Sequence, residues 1–410
     1  MHQTMRFLAM RSLLLLFLFV TTAPTLAADI TLPAKAPEHR EVVLEEVWRL
    51  GGDDEEGVLL GMISYGRRDN QGRVFLLDSQ LNQILVLDPA GELIATLGQE
   101  GEGPGEITRP GGFFLNGPDQ VGVVQSFPGK IVLLNMDGTP GGSIALGQDP
   151  TAGGFVFAGE MHKFGDHMVL SQGSGNYDQA TGTMKTTQLL ASLDQEGNQL
   201  VRFAEHTQER GLSTQTFDEK AEFSELNVWA LGPENVYTCP ERDAYVINIK
   251  AMDGSLQGRY VRPMQPRTRS DKEKEKAKNN LQVVVNGQQQ EIKSKILDTD
   301  AVLAGMDVAP DGTLFVMNCY QAPAHQEGDL AQSYDIISPD GRLVEELSLL
   351  VPGFNREQDQ LQFLDGEYFL WMRNITSAQL NMAASFGVQM GGQEGLDEAE
   401  PLEIVLCRIP

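Results

Sequence analysis

The sequence predicts an all-β fold, a six-bladed β-propeller of four-stranded antiparallel blades, on three observations. Short apolar strand patterns recur along the 410 residues, separated by turns of Gly, Asp, Asn and Pro. The second and third strands of the unit can each be found six times. The last copy stops one strand short at Pro410, while an unassigned strand pattern, EVVLEEVWRL, lies near the beginning at residues 41–50.

The elements follow in chain order. Arg6 and Arg11 precede an apolar run, Leu13 to Val20, and then the small-residue stretch TTAPTLAAD. Residues 1–27 therefore read as a secretory signal peptide, cleaved after Ala27 or Ala28, and residues 28–410 as one propeller domain. The apolar run is shorter than the ~20 residues that span a bilayer. The clearest blade covers residues 57–98: VLLGMISYGRRD, GRVFLLD, NQILVLD and LIATLG, joined by RDNQG and DPAGE. Its second strand recurs from Asp119, Gly165, Glu234, Gly312 and Gly366. Its third recurs from Lys130, Gln188, Ala244, Tyr334 and Glu403. If residues 41–50 pair with the strand at Glu403, the first strand of the mature chain completes the last blade. That closes the ring and removes two sheet edges.

The run D-x-x-x-N-x-I-x-V-x-D-x-x-G, Asp78 to Gly91, is followed by GxGPGE, Gly101 to Glu106. This pairing resembles the secreted bacterial six-bladed propellers related to NHL-repeat proteins. The resemblance covers residues 57–112 in full and implies fold more than function, since propellers host many unrelated activities.

The glycine-rich stretch GQEGEGPGEITRP, Gly98 to Pro110, is no phosphate loop. It has no lysine, and Glu100, Glu102 and Glu106 would repel phosphate. It is read as the crossing from the first blade to the second, with a weak calcium site at Glu102 or Glu106 as the minor alternative.

Strand direction alternates within a blade. First-to-second and third-to-fourth turns therefore share one face, and they are short. Second-to-third connections and blade crossings share the other, and every long segment is of these kinds: 172–186, 206–226, 263–300, 319–332 and 373–401. The elaborated face is the expected binding face. The 263–300 insertion contains SDKEKEKAKNNLQ, where Ser270 and Glu273 fit a helix capping box. Asn374-Ile375-Thr376 matches a glycosylation sequon.

A net charge of −26 argues against nucleic acid and anionic lipid as partners. Cys239, Cys319 and Cys407 sit in or beside strand patterns and suit packing. His162 and His167 fall near the short-turn face, His206 and His325 in long loops opposite, and His39 in the N-terminal arm, so a three-histidine zinc site is not expected. There is no GxSxG and no HExxH, so no catalytic residue and no resident metal is assigned. Strand ends place Asp78, Gln125, Ser171, Asn318 and Arg373 at or near the channel mouth on the long-loop face, with Arg109 on the same side. For Asp78, Ser171 and Asn318 the plainer role is strand-end hydrogen bonding. The expected function is an exported, secreted or periplasmic, binding or scaffolding module for a protein, peptide or glycan. The competing expectation is a calcium-assisted, lactonase-like hydrolase or lyase with carboxylates at the channel mouth.

Overall fold

The computed structural model describes residues 28–52, 58–127, 129–146, 155–211, 216–279, 283–285, 288–290, 293–385 and 400–410. The expected signal peptide lies outside the described residues. Six antiparallel blades follow one another along the chain. Blade 1 comprises Ile63–Arg68, Val74–Asp78, Gln83–Leu87 and Leu93–Leu97; blade 2 comprises Pro110–Leu115, Gln120–Gln125, Lys130–Asn135 and Pro140–Ala145. Blade 3 comprises Phe155–Phe164, His167–Asp178, Thr183–Leu193 and Gln199–Gly211. Blade 4 comprises Trp229–Leu231, Asn235–Thr238, Tyr245–Ala251 and Leu256–Arg262; blade 5 comprises Leu303–Val308, Leu314–Asn318, Leu330–Ile337 and Leu343–Leu350. Blade 6 joins Gln360–Phe363, Tyr368–Arg373 and Glu403–Arg408 to the N-terminal strand Glu45–Gly51.

Closure is antiparallel, with Glu45 opposite Arg408 and Gly51 opposite Glu403. It differs from the sequence expectation in its bounds. Residues 39–43 leave the closing strand and run parallel to the outer strand of blade 5, His39 opposite Glu346 and Val43 opposite Leu350. Residues 28–31 do the same on blade 4, Ala28 opposite Gly258 and Thr31 opposite Val261. The N-terminal arm thus covers two outer edges before it zips the ring. Arg262 ties the arm down: its Nε donates to the Pro33 carbonyl and its Nη2 to that of Ala34, both at 3.2 Å. Bidentate pairs Arg259–Asp29 and Arg40–Glu345 add to this.

The core is divided among the blade interfaces rather than gathered at one centre. Phe315, Tyr334, Phe363 and Phe369 pack between blades 5 and 6, and Trp48, Ile63, Leu85 and Leu370 between blades 6 and 1. Analogous clusters lie at the remaining interfaces. This is why period-2 strands with apolar residues on both faces are required: each sheet is buried on two sides. Gly91 of the recurring motif has φ = 89°, and a Cβ there would lie 2.7 Å from the Trp48 ring of the closing strand. The turn glycine therefore serves ring closure as well as the hairpin.

Blade 3 departs from the expectation in another way. Residues 172–186 are not a loop but the outer part of a hairpin whose strands run on in register from Phe155–Gly175 to Asp178–Thr183. The pairing from Met168–Leu193 to Asp178–Thr183 is unbroken, so the strands continue past the point where the buried part of the blade ends. The insertion after blade 4 does form the helix Asp271–Asn279. Its capping box is reciprocal: Ser270 N donates to Glu273 Oε2 at 2.6 Å and Glu273 N to Ser270 Oγ at 3.3 Å. All three cysteines are unpaired and buried, and burial pushes the Cys239 and Cys407 thiols up to about 12.

Candidate functional site

First strands of neighbouring blades touch one another and surround the axis. On the long-loop face they open into a cavity of about 1150 Å³. Its walls come from the connections that parity assigned to this face. Ser79, Gln80 and Asn82 follow the second strand of blade 1, Ser126 that of blade 2, and Gln379 and Met382 lie on the helix Ile375–Ser385 after the second strand of blade 6. Glu100, Thr108 and Arg109 come from the glycine-rich crossing. Tyr65 and Gln360 reach in from first strands.

The crossing owes its shape to Glu106. Its carboxylate accepts Gly103 N at 2.7 Å and Gln99 Nε2 at 3.0 Å, and these bonds hold it below the usual carboxylate range. A Cβ at Gly101, where φ is 152°, would fall 2.0 Å from that carboxylate. The glycines therefore let the loop fold round its own glutamate. The effect is to set Glu100, Thr108 and Arg109 at the rim.

Backbone strain gathers at this mouth. Among the described residues, Asn82, Arg109 and Asn374 are the non-glycine residues with positive φ, at 53°, 50° and 59°. Asn82 and Arg109 line the cavity, and Asn374 starts the helix that roofs it. Asparagine tolerates this region; arginine gains nothing from it, and the cost is about 1 kcal/mol. The Arg109 guanidinium makes no hydrogen bond or ion pair among the described residues, and its side chain is exposed at the rim.

The other sequence-selected residues take different positions. Asp78 is fully buried and accepts Gly61 N, Met62 N, Gln80 N and Leu81 N at 2.7 to 3.1 Å. Gln125 is buried and donates to Thr108 Oγ1 at 3.0 Å. Asn318 is buried and donates to Asp335, which also pairs with Arg262. Ser171 Oγ accepts Glu160 N at 3.0 Å, beside a bulge in the first strand of blade 3. Arg373 pairs with Glu403, which Arg49 of the closing strand also reaches at 3.1 Å, so Arg373 sits at the closure seam. These placements have one geometric reason. Second strands lie one layer out from the axis, so their terminal side chains hold loops and blade interfaces while first strands face the channel. Asn374 Nδ2 donates to the Pro401 carbonyl at 3.1 Å, so the sequon amide is already engaged.

At the opposite, short-turn end of the channel, where the sequence already set His162, lies a cavity of about 190 Å³ whose other charged residues sequence reasoning passed over. Arg67, His162 and Asp307 line it, from three different first strands. His162 Nε2 lies 2.7 Å from Glu160 Oε1, and the imidazole meets Trp229 edge-on at 4.8 Å. Burial pushes the Glu160 carboxyl up, but the His162 hydrogen bond and the charges of His162 and Arg67 outweigh it and hold it low. Burial pushes Asp307 up to about 6; Glu160 adds to this, and His162 and Arg67 oppose it. A sequence signal existed: charged residues interrupt otherwise apolar inner strands. Among the described residues no three His, Cys, Asp or Glu converge as metal ligands.

A family model described as a 6-bladed beta-propeller matches residues 55–163. The chain is a six-bladed β-propeller. No curated protein matches it. A candidate exported protein from Bacteroides fragilis is 13% identical, with a TM-score of 0.45, covering 93% of this chain and 100% of that one. A member of the duf4221 family from Bacteroides vulgatus is 11% identical, with a TM-score of 0.46 and 91% and 99% coverage. A gluconolactonase from Xanthomonas campestris is 11% identical, with a TM-score of 0.42 and 86% and 87% coverage. At these values each is a likeness of form only. No helix among the described residues is long and apolar enough to cross a membrane.

Proposed function

We propose that this propeller is an exported, NHL-like binding module that takes a polar, uncharged chain, a glycan or an extended peptide, at its long-loop mouth. The observation that carries the reading is the concentration of strained backbone round one large cavity. Strain in a folded chain persists where the surroundings over-determine it, and it collects at ligand clamps. The lining suits such a ligand. Gln80, Asn82, Gln360 and Gln379 offer amides that both donate and accept, Ser64, Ser79 and Ser126 offer hydroxyls, and Met62, Tyr65 and Met382 give apolar surface. Arg109 supplies a rigid fork of donors that no side chain of the described protein occupies. The position of the N-terminal basic and apolar runs supports export.

Glycan-array and peptide-library binding by the mature chain, compared with Arg109→Ala and Gln379→Ala, tests the reading. At least a tenfold loss in each variant is expected for the ligand class that binds. Undiminished binding in both would remove the mouth from consideration. The lactonase-like alternative makes a separate demand: added calcium should raise the melting temperature. Among the described residues lining this cavity Glu100 is the one carboxylate, and a single carboxylate holds calcium weakly.

A further inference from the structure

The short-turn end of the channel presents a second problem. Its cavity, about 190 Å³, receives one wall from every blade: Arg67, Phe114, His162, Leu231, Asp307 and Phe363. Cavities near this size hold a benzene ring. Several charged groups around it have partners, though Arg68 Nε is buried without one. Arg68 pairs with Asp365 at 2.9 Å and lies over the Tyr368 ring at 3.7 Å. Glu160 and His162 satisfy each other at 2.7 Å. Of the lining charges, Arg67, Lys163 and Asp307 have no ion pair among the described residues, and Arg67 and Asp307 are the oppositely charged two on facing inner strands. Arg67 has only a 3.5 Å contact to the neighbouring Gly66 carbonyl and the Phe113 ring at 6.0 Å. Asp307 makes no hydrogen bond or ion pair among the described residues, though its carboxyl faces the same space. Both residues are half-buried, so leaving each without a partner costs part of its desolvation penalty.

We infer that this cavity is a second ligand site, taking a small zwitterion of α-amino-acid type with an apolar side chain between Arg67 and Asp307. The guanidinium fork matches a carboxylate, and the single carboxylate of Asp307 matches an ammonium. A lone anion would leave Asp307 unpaired, and a lone cation would leave Arg67 so. The apolar walls Phe114, Leu231 and Phe363 suit an aliphatic side chain and exclude a second charge. The bulge between Ala158 and Met161, held by the Ser171 hydroxyl, fixes Glu160 beside His162, where it feels the Arg67 charge but makes no hydrogen bond to it. The site is independent of the long-loop mouth and stands or falls without it.

Protons compete with the ligand's ammonium for Asp307. Burial pushes its carboxyl up to about 6, with Arg67, Glu160, His162 and the Tyr334 phenol the titratable or charged groups coupled to it and Arg68 and Lys163 also lining the cavity. Affinity should fall as pH drops through 6. The experiment is calorimetric titration of the mature chain with L-leucine, N-acetyl-L-leucine and L-leucinamide. Leucine is expected to bind at least tenfold more tightly than either blocked form. Asp307→Asn should abolish the preference over N-acetyl-leucine while keeping the preference over leucinamide. Arg67→Gln should do the reverse. A variant that merely misfolds loses both preferences, and circular dichroism identifies it; Asp307→Glu and Arg67→Lys then repeat the test with the charge kept, each expected to retain a reduced preference. Absence of leucine binding at millimolar concentration, or folded variants that change both preferences alike, would overturn the assignment.

Discussion

The two ends of the channel are built by opposite means. The long-loop mouth is wide, about 1150 Å³, and its walls are hydroxyls and amides on connections between strands. The short-turn end is narrow, about 190 Å³, and its walls are charged, aromatic and aliphatic side chains, most of them on the inner strands themselves. Strain marks the first end, where Asn82 and Arg109 hold positive φ. Desolvation marks the second, where Asp307 is pushed to about 6. A rigid ring therefore supports an adaptable surface at one end and a fixed electrostatic pocket at the other. Loops can be lengthened without cost to the blades, whereas a charge on an inner strand is set by every blade at once.

The largest test breaks both ends together. Both depend on a closed ring, and closure rests on residues 45–51 with the arm before them. A chain beginning after Gly51 exposes the edges of blades 4, 5 and 6 and withdraws Leu32, Val42, Leu44 and Trp48 from three blade interfaces. The expected loss exceeds the ~5–15 kcal/mol that ordinarily separates native from unfolded chains. Thermal melting followed by circular dichroism should show no cooperative transition. A sharp transition near that of the intact chain would mean the blades do not need the arm.

The next test separates the ends. Asp307 has a folded value of about 6 against an ordinary 3.8. The folded state then holds more protons than the unfolded one between those values, so this group makes the protein less stable as pH rises from 3.8 to 6. Asp307→Asn removes the penalty. Channel water screens the carboxyl, so the gain at pH 7 should be about 1–2 kcal/mol, below the ~3 kcal/mol that a shift of two units would give unscreened. Below pH 3.8 the variant and the wild type should melt alike. Equal denaturant midpoints at pH 7 would show that the pocket does not oppose ionisation.

Arg109 gives the mirror-image test at the wide end. Arg109→Gly relieves the positive φ of 50° but loosens the unfolded chain. A net gain of roughly 0.5 kcal/mol is expected, with weaker ligand capture at the mouth. Stability measured by urea titration and binding measured on the same samples should move in opposite directions. A variant that is destabilised and binds as before would detach the strain from function.

These contrasts also show what could be read without coordinates. The ring was legible because each blade repeats a period-2 pattern closed by turns such as DPAGE, and such local patterns survive in one sequence. The face bearing the long connections followed from strand parity alone, and Gln80, Arg109 and Gln379 do meet there. Which side chains enter the mouth did not follow. Asp78 and Asn318 end second strands, as expected, but the strands sit one layer out, and both carry loop and interface bonds instead. Arg67, Glu160, His162 and Asp307 had no common spacing to betray them, because three blades deliver them separately. The arm's pairing with blade 5 was hidden for the opposite reason: one continuous strand pattern, EVVLEEVW, is shared between blades 5 and 6.

The smallest test concerns how the long-loop face is fastened. The helix Asp271–Asn279 is held through Glu273, whose carboxylate takes Arg267 Nη2 at 2.6 Å and Ser270 N at 2.6 Å. Arg267 and Arg269 in turn grip Asp300, and His325 lies 3.4 Å from the same carboxylate. The Arg267 bond, followed by the Ser270 bonds, lowers Glu273 from 4.5 to about 2. A depressed carboxyl stabilises the folded arrangement fully above 4.5 and loses that contribution as pH falls towards 2. Glu273 is partly open to solvent, so the effect on the whole protein should be only a few tenths of a kcal/mol. Its local effect should be larger than its global one. Hydrogen exchange of residues 271–279 should accelerate between pH 4.5 and 2, after correction for intrinsic rates, while that of Val74–Asp78 stays constant. Glu273→Gln should show the faster exchange already at pH 7. If helix and core accelerate together, the insertion is bound to the propeller by packing and not by this carboxylate, and the two ends of the channel are less independent than their chemistry implies.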